Sequence, residues 1–194
     1  MSPLESPSSW EERSRAYRTD CRSVLFRSLP PSLNQYIHEW HLRKVIAALA
    51  PSHGNGHPRV LDIGAGYGRI ATAVQQAFPG ARITGIDAAF SFVALFRETT
   101  GGGAVHANAR WLPFRSEAFD SVIIVTVLMY LDPAAVSDTL REIIRVLKPN
   151  GVCILIENNK TGTNFYTLFG LIPRIKSLFH RSGPETGGRG WHGA

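Results

Sequence analysis

The sequence predicts an α/β fold, a doubly wound and mostly parallel sheet with helices on both faces. Three observations predict it. Short apolar runs alternate with amphipathic, helix-length segments between residues 59 and 157. The glycine-rich turn Gly64-Ala65-Gly66-Tyr67-Gly68 follows the first apolar run directly and opens a helix. An acid, Asp87, closes the second run. Strand–helix alternation implies crossover connections and parallel pairing. Such sheets hold ligands beyond the strand C-termini, where the strand order reverses.

The elements follow in order. Residues 1–9, with Pro3, Pro7 and several serines, read as a tail. Residues 10–28 read as one or two short helices, with Trp10, Tyr17, Val24, Leu25 and Phe26 as apolar contacts. Pro30 and Pro31 interrupt the chain, and Ser32 reads as the cap of a helix over 33–50. Its apolar stripe is Leu33, Ile37, Trp40, Val45, Ile46 and Leu49. A linker runs from Pro51 to Pro58. Strands are expected at 59–63, 83–87, 104–107, 121–126 and 152–156, and helices at 68–78, 89–98 and 133–147. Asn150-Gly151 marks the turn before the last strand.

Composition removes several classes. The 194 residues suit one α/β domain, and 44% hydrophobic against 19% charged residues argue for a packed core. Cys21 and Cys153 are far apart and give neither a disulfide framework nor metal-ligand spacing, so no metal is expected. No apolar run reaches a membrane span, and the N-terminus does not read as a signal peptide. A cytoplasmic protein without a membrane partner is the expectation. The net charge of +6 comes from both ends of the chain, while residues 60–157 are close to neutral. No basic stripe or recognised module accompanies it, so nucleic acid is not an expected partner.

The glycine turn carries most of the chemical information. Glycines let the backbone approach a ligand and adopt positive φ. Asp87 is placed to accept hydrogen bonds from two ribose hydroxyls. A dinucleotide site wants G-x-G-x-x-G, but Arg69 stands at the third glycine position, and the pattern is G-x-G-x-G over 64–68. Asp62, at the strand end, would oppose a pyrophosphate and suits a cationic ligand. A nicotinamide-dependent oxidoreductase is thereby disfavoured. Arg69 itself reads as a solvated helix residue.

Taken together, these segments resemble the class I S-adenosylmethionine-dependent methyltransferases of the small-molecule type. VLDIGAGYGRIA resembles the family's first motif and ITGIDAAFSFV its second. VHANARWLPF, over 105–114, resembles its GDA-x-x-LPF segment. FDSVIIVTVLMYL and LREIIRVLKPNGVCILIE resemble its fourth-strand segment and its R-x-LKPGG signature. The resemblance covers roughly residues 55–157 and implies a Rossmann-like methyltransferase sheet with S-adenosyl-L-methionine as cofactor. Gly64, Ala65 and Gly66, with Gly68 in the same turn, would line the methionine part, with Asp62 beneath it. Asp87 would hold the ribose and Ala88 lie near the adenine. Asn108, where the family commonly has an acid, would face the adenine, with Ala109 behind it. Thr126 to Tyr130 would pass near the transferable methyl group.

The implied domain plan is an N-terminal helical lid or cap over 1–54, a cofactor-binding core over 55–157, and an apolar helical segment with a Gly-rich tail over 158–194. The implied reaction is direct SN2 methyl transfer to an O, N or C nucleophile. The substrate would be a small molecule or peptide of natural-product type, as in secondary metabolism. A base is optional; Glu157, Tyr130 and His106 are the candidates. Tyr17, His38, His41, Tyr130 and Asn159 are candidate substrate contacts. His38 and His41, three apart, could share a helix face. The family's sheet has seven strands; here five are recognisable, and the last two read as missing or replaced. Residues 163–179 would then cover the fifth strand as a helix, or a homodimer or partner subunit would. That gap motivates the alternative of a cofactor-binding but inactive partner subunit.

Overall fold

A computed structural model describes residues 7–53, 56–157 and 167–169. Two helices come first, α1 (Pro7–Tyr17) and α2 (Pro31–His53), joined through a 3-10 turn at Cys21–Ser23. There follow β1 (Arg59–Ile63), α3 (Arg69–Ala77), β2 (Arg82–Asp87), α4 (Phe90–Thr100) and β3 (Gly103–His106). Then come β4 (Phe119–Val125), a 3-10 turn at Leu128–Tyr130, α5 (Pro133–Val146), β5 (Leu147–Glu157) and β6 (Thr167–Phe169). The sheet order is β3-β2-β1-β4-β5-β6. The first five strands in that order pair in parallel, as the sequence predicts.

The strand order reverses between β1 and β4, whose register pairs Asp62 with Ile123 and Ile63 with Ile124. Period-two alternation then divides the core. Val60, Ile83, Ile123 and Ile154 pack with Val45, Leu49, Val74 and Phe96 on one face. Leu61, Ile63, Val122 and Ile124 pack with Ile143 and Val146 on the other. Both faces are covered, so β1 and β4 are buried almost throughout, as parallel strands require.

The first two helices differ in detail from the expectation. α1 starts at Pro7, inside the stretch read as a tail. α2 starts at Pro31, and the Pro30 carbonyl accepts from the N–H groups of Leu33 and Asn34. Pro31 thus takes the first helical position, where a missing N–H costs nothing, and Ser32 lies inside the first turn. α2 also runs past Pro51, which the linker reading had placed outside it. Of its predicted stripe, Ile37, Val45 and Leu49 are buried, whereas Leu33 is exposed.

α5 begins as its sequence directs: Asp132 Oδ1 accepts from Ala135 N at 2.8 Å, with Pro133 at the first helical position. The Asn150-Gly151 turn falls inside β5 as an irregularity, and regular pairing with β4 resumes at Val152. At the outer edge the expectation of a continuous helical cover over 163–179 is corrected at three residues. Thr167–Phe169 is a strand, antiparallel to β5, with Leu155 opposite Phe169 and Glu157 opposite Thr167. The other residues of that segment lie outside the described ones. Among the described residues, no helix is long and apolar enough to cross a membrane.

Candidate cofactor and acceptor site

A cavity of about 350 Å³ opens beyond the C-terminal ends of β1, β2 and β4, at the reversal in strand order. Its floor is the β1–α3 turn. Gly64 and Gly66 both have positive φ, 67° and 55°. A Cβ at Gly64 would collide with the Val127 side chain, and one at Gly66 would stand 2.6 Å from Val24 Cγ1. Conformation and space both exclude a side chain there. Asp87 ties the turn to β2: its Oδ2 accepts from Gly66 N and its Oδ1 from Ala89 N, each at 2.9 Å. Burial pushes Asp87 up to about 6, with those N–H groups pulling the other way.

Asp62, 2% exposed, lies on the same floor, and its buried Oδ2 has no hydrogen-bond partner. Burial pushes its carboxyl up to about 7, with Arg69 opposing and Asp87 adding to the rise. A buried carboxyl with a spare acceptor oxygen, on a residue of the cavity floor, favours a positive charge nearby.

Of the residues proposed from sequence to contact the cofactor, Asp62, Gly64, Ala65, Gly66, Asp87, Ala88, Asn108, Ala109 and Thr126 line this cavity. Gly68 does not; it sits at the head of α3 with φ 90°. Asn108 Oδ1 accepts from Arg110 N at 3.0 Å, an Asx turn that already uses part of its acceptor capacity. Thr126 has positive φ, 56°, and its N–H donates to Ile156 O at 2.7 Å, which turns the chain over the cavity.

The candidate bases divide. Tyr130 lines the cavity and meets Trp10 edge to face, ring centroids 5.0 Å apart. Glu157 and His106 are not among the residues that line the cavity. The Glu157 carboxylate accepts from the N–H groups of Val127 at 2.8 Å, Leu128 at 2.7 Å and Met129 at 3.2 Å. It caps the turn that carries Tyr130. His106 Nε2 bonds Ala88 O at 3.0 Å, joining the ends of β2 and β3.

Among the proposed substrate contacts, Tyr17, His38 and His41 are likewise outside the wall. The Tyr17 ring lies against the Arg22 guanidinium. His38 and His41 do share a face of α2, and both face Arg69. Arg69 is not solvated: it is 8% exposed and lines the cavity. Asn159 lies outside the described residues.

Sequence reasoning did not assign Trp10, Val24, Phe92, Arg110, Leu131 and Asp132 to the wall. Only Asp132 carried a local signal, its capping position before Pro133. The others reach the cavity through tertiary packing. Among the described residues, no cluster of three or more His, Cys, Asp or Glu could hold a metal ion.

Comparison with known proteins bears on this geometry. A family model described as a methyltransferase domain matches residues 61–155. A ubiquinone/menaquinone biosynthesis C-methyltransferase of Desulfotalea psychrophila is 30% identical over 139 residues, 66% of this chain and 55% of that protein. A demethylmenaquinone methyltransferase of Thermus thermophilus is 31% identical over 156 residues, 77% of this chain and 65% of that protein. The chain thus spans less than two thirds of these relatives. The crystal structure of the YcgJ protein of Bacillus subtilis aligns with a TM-score of 0.54 and 27% identity, covering 62% of this chain and 51% of that one. A phosphoethanolamine N-methyltransferase of Haemonchus contortus, solved with phosphoethanolamine and S-adenosylhomocysteine, aligns with a TM-score of 0.62. At 20% identity, over 83% of this chain and 35% of that one, it attests the fold alone.

Proposed function

Residues 61–155 make this chain a member of the class I S-adenosylmethionine-dependent methyltransferases, and on that premise we propose that it binds S-adenosylmethionine in the β1–β4 cavity and methylates a small acceptor. The observation that carries the reading is the buried Asp62 Oδ2, unpartnered beside two glycines whose Cβ positions are filled by neighbours. A cationic amino-acid end fits that floor, and Asp87 retains acceptor capacity for a ribose.

When bound, the cofactor supplies an electrophilic sulfonium methyl group. The chain's own residues bind, orient and exclude water. The 64–66 turn and Asp87 fix one end. The turn held by Glu157 sets Val127 and Tyr130 at the cavity wall. Trp10 from α1 closes against Tyr130, and Val24, Phe92 and Leu131 add apolar surface. Displacement at a methyl group needs alignment more than a base, and among the described residues no histidine or glutamate stands in the wall.

The apolar end of the cavity suits a largely apolar acceptor. Relatives named for ubiquinone and menaquinone biosynthesis make a quinol-type ring the first acceptor to assay. The test is calorimetry on the full chain with S-adenosylhomocysteine and NAD. Saturable binding of the thioether alone is expected, weakened more by Asp87→Ala than by Asn108→Ala, by roughly 2–4 kcal/mol for two buried charge-assisted bonds. Binding of NAD without the thioether would overturn the reading.

A further inference from the structure

Two segments that stand apart in the sequence, Trp111-Leu112-Pro113-Phe114 and the end of α5, are joined in the structure by side chains of α5. Glu142 and Arg145, three apart on the helix, form a two-pronged ion pair: Arg145 Nε donates to Glu142 Oε1 at 2.6 Å and Nη2 to Oε2 at 2.7 Å. Each partner also reaches the loop backbone. Glu142 Oε2 accepts from Leu112 N at 2.7 Å. Arg145 donates through Nη2 to Leu112 O at 2.9 Å and through Nη1 to Phe114 O at 2.6 Å. Arg145 foremost, and the Leu112 N–H, hold the Glu142 carboxyl below its ordinary value against its partial burial. One helical turn earlier, Asp138 Oδ2 accepts from Arg110 Nε at 3.1 Å and Nη2 at 2.8 Å, while its Oδ1 accepts from Arg141.

The Glu142–Arg145 pair grips main-chain groups of the loop, so it fixes the path of the chain there. Pro113 has no N–H to offer, and the flanking residues supply the groups that the pair binds. The side chains anchor the same stretch: Leu112 is buried, and Phe114 meets Phe119 edge to face. Immediately upstream, Ala107 to Arg110 form a strip of the cavity wall. Helix α5 also brings Asp132 and Ala135, at its own N-terminal end, to that wall. One helix thus carries one part of the wall and braces another.

We propose that Glu142, Arg145 and Asp138, none of which lines the cavity, are positioning residues that hold the Ala107–Arg110 strip where it closes on the bound cofactor. The inference rests on the cofactor reading above and gives the charged face of α5 a task in it.

Binding and bracing must then be linked in both directions. On the unaltered chain, saturation with S-adenosylhomocysteine should slow amide exchange at Leu112 about fivefold or more, because that N–H is freed only when Glu142 releases the loop. Arg145→Met should speed exchange at Leu112 relative to the amides of β4, and should weaken S-adenosylhomocysteine about fivefold or more. Glu142→Ala should do the same. Glu142→Gln, whose amide oxygen still accepts from Leu112 N, should recover part of both effects. Folded variants with faster Leu112 exchange and unchanged affinity would show a brace without a role in binding, and overturn the proposal. Leu112 exchange that does not respond to bound ligand in the unaltered chain overturns it even if no variant folds. An unaltered chain that does not bind S-adenosylhomocysteine overturns the cofactor reading, and the proposal with it.

Discussion

At the scale of single residues, legibility divided along the line between local and tertiary signals. The glycine turn and Asp87 could be read because their roles depend on sequence neighbours: a strand before, a helix after, an acid at the next strand's end. Arg69, His38 and His41 could not. α2 meets α3 only in the folded chain, and neither helix's pattern reveals that a guanidinium from one binds imidazoles of the other. Glu157 reads from sequence as a candidate base, but its carboxylate accepts from three backbone N–H groups of another segment. Asp62 carries a prediction at this scale. Its folded-state carboxyl sits at about 7, above its ordinary value of 3.8, so the folded chain binds the extra proton between those limits. Stability without ligand should therefore fall as pH rises through that window. Asp62→Asn removes the penalty and should stabilise the unliganded chain at pH 8, by up to about 4 kcal/mol, with the gain fading towards pH 4. The same change should weaken S-adenosylhomocysteine binding. Denaturant unfolding at several pH values, with and without ligand, measures both effects, and a pH-independent stability difference would rule this account out.

Among the elements, α1 owes its place to a tertiary cap. Helix α4 begins after Ala89, which has no side chain to cap it. Glu11 of α1 supplies the missing acceptor: its carboxylate takes the N–H of Phe90, and that of Ser91 at 3.3 Å. A carboxylate there also meets the positive end of the helix dipole. Ser14 hydrogen-bonds Ser91 beside it, whereas the Arg18–Glu98 pair is exposed and contributes little. Glu11 thereby fixes the helix whose Trp10 meets Tyr130 over the cavity. The sequence marks residues 10–28 as helical with apolar contacts; it could not say which helix N-terminus they would complete. Glu11→Ala should cost about 1 kcal/mol, as loss of a helix cap does. It should also speed dissociation of S-adenosylhomocysteine several-fold, because the roof is released more easily. Trp10→Ala removes the ring that meets Tyr130 and should also speed dissociation, with its own loss of packing against Tyr130 and Arg13. Stopped-flow displacement and thermal melting measure both effects, and unchanged dissociation in both variants would mean that α1 does not cover the ligand.

For the molecule as a whole, the question is how the sheet ends. Strand–helix alternation made the five parallel strands legible, since each run is bounded by turn residues and the central strands β1 and β4 are buried on both faces. The outer edge was not legible, because an apolar stretch after β5 fits a covering helix as well as a strand. The structure places Thr167–Phe169 against Leu155–Glu157, antiparallel, so three residues of that edge are paired. An open parallel edge would offer unpaired N–H and C=O groups to any other chain. Glu157, the residue that holds the turn beneath Tyr130, lies in this paired segment. Loss of β6 should therefore act both on association and on the cavity. Ending the chain at Asn159 is expected to lower the melting temperature by several degrees, the size of effect that about 1 kcal/mol produces in a chain of this length. It should also promote self-association and weaken S-adenosylhomocysteine modestly, although the described cavity-lining residues lie upstream. Leu168→Pro in the full chain separates edge pairing from chain length, since proline removes a backbone donor and disfavours a paired strand. If β6 protects the edge, this single change reproduces most of the truncation in melting and light-scattering measurements. If Leu168→Pro leaves both unchanged while truncation does not, the protection comes from other residues beyond Asn159 and not from the β5–β6 pairing.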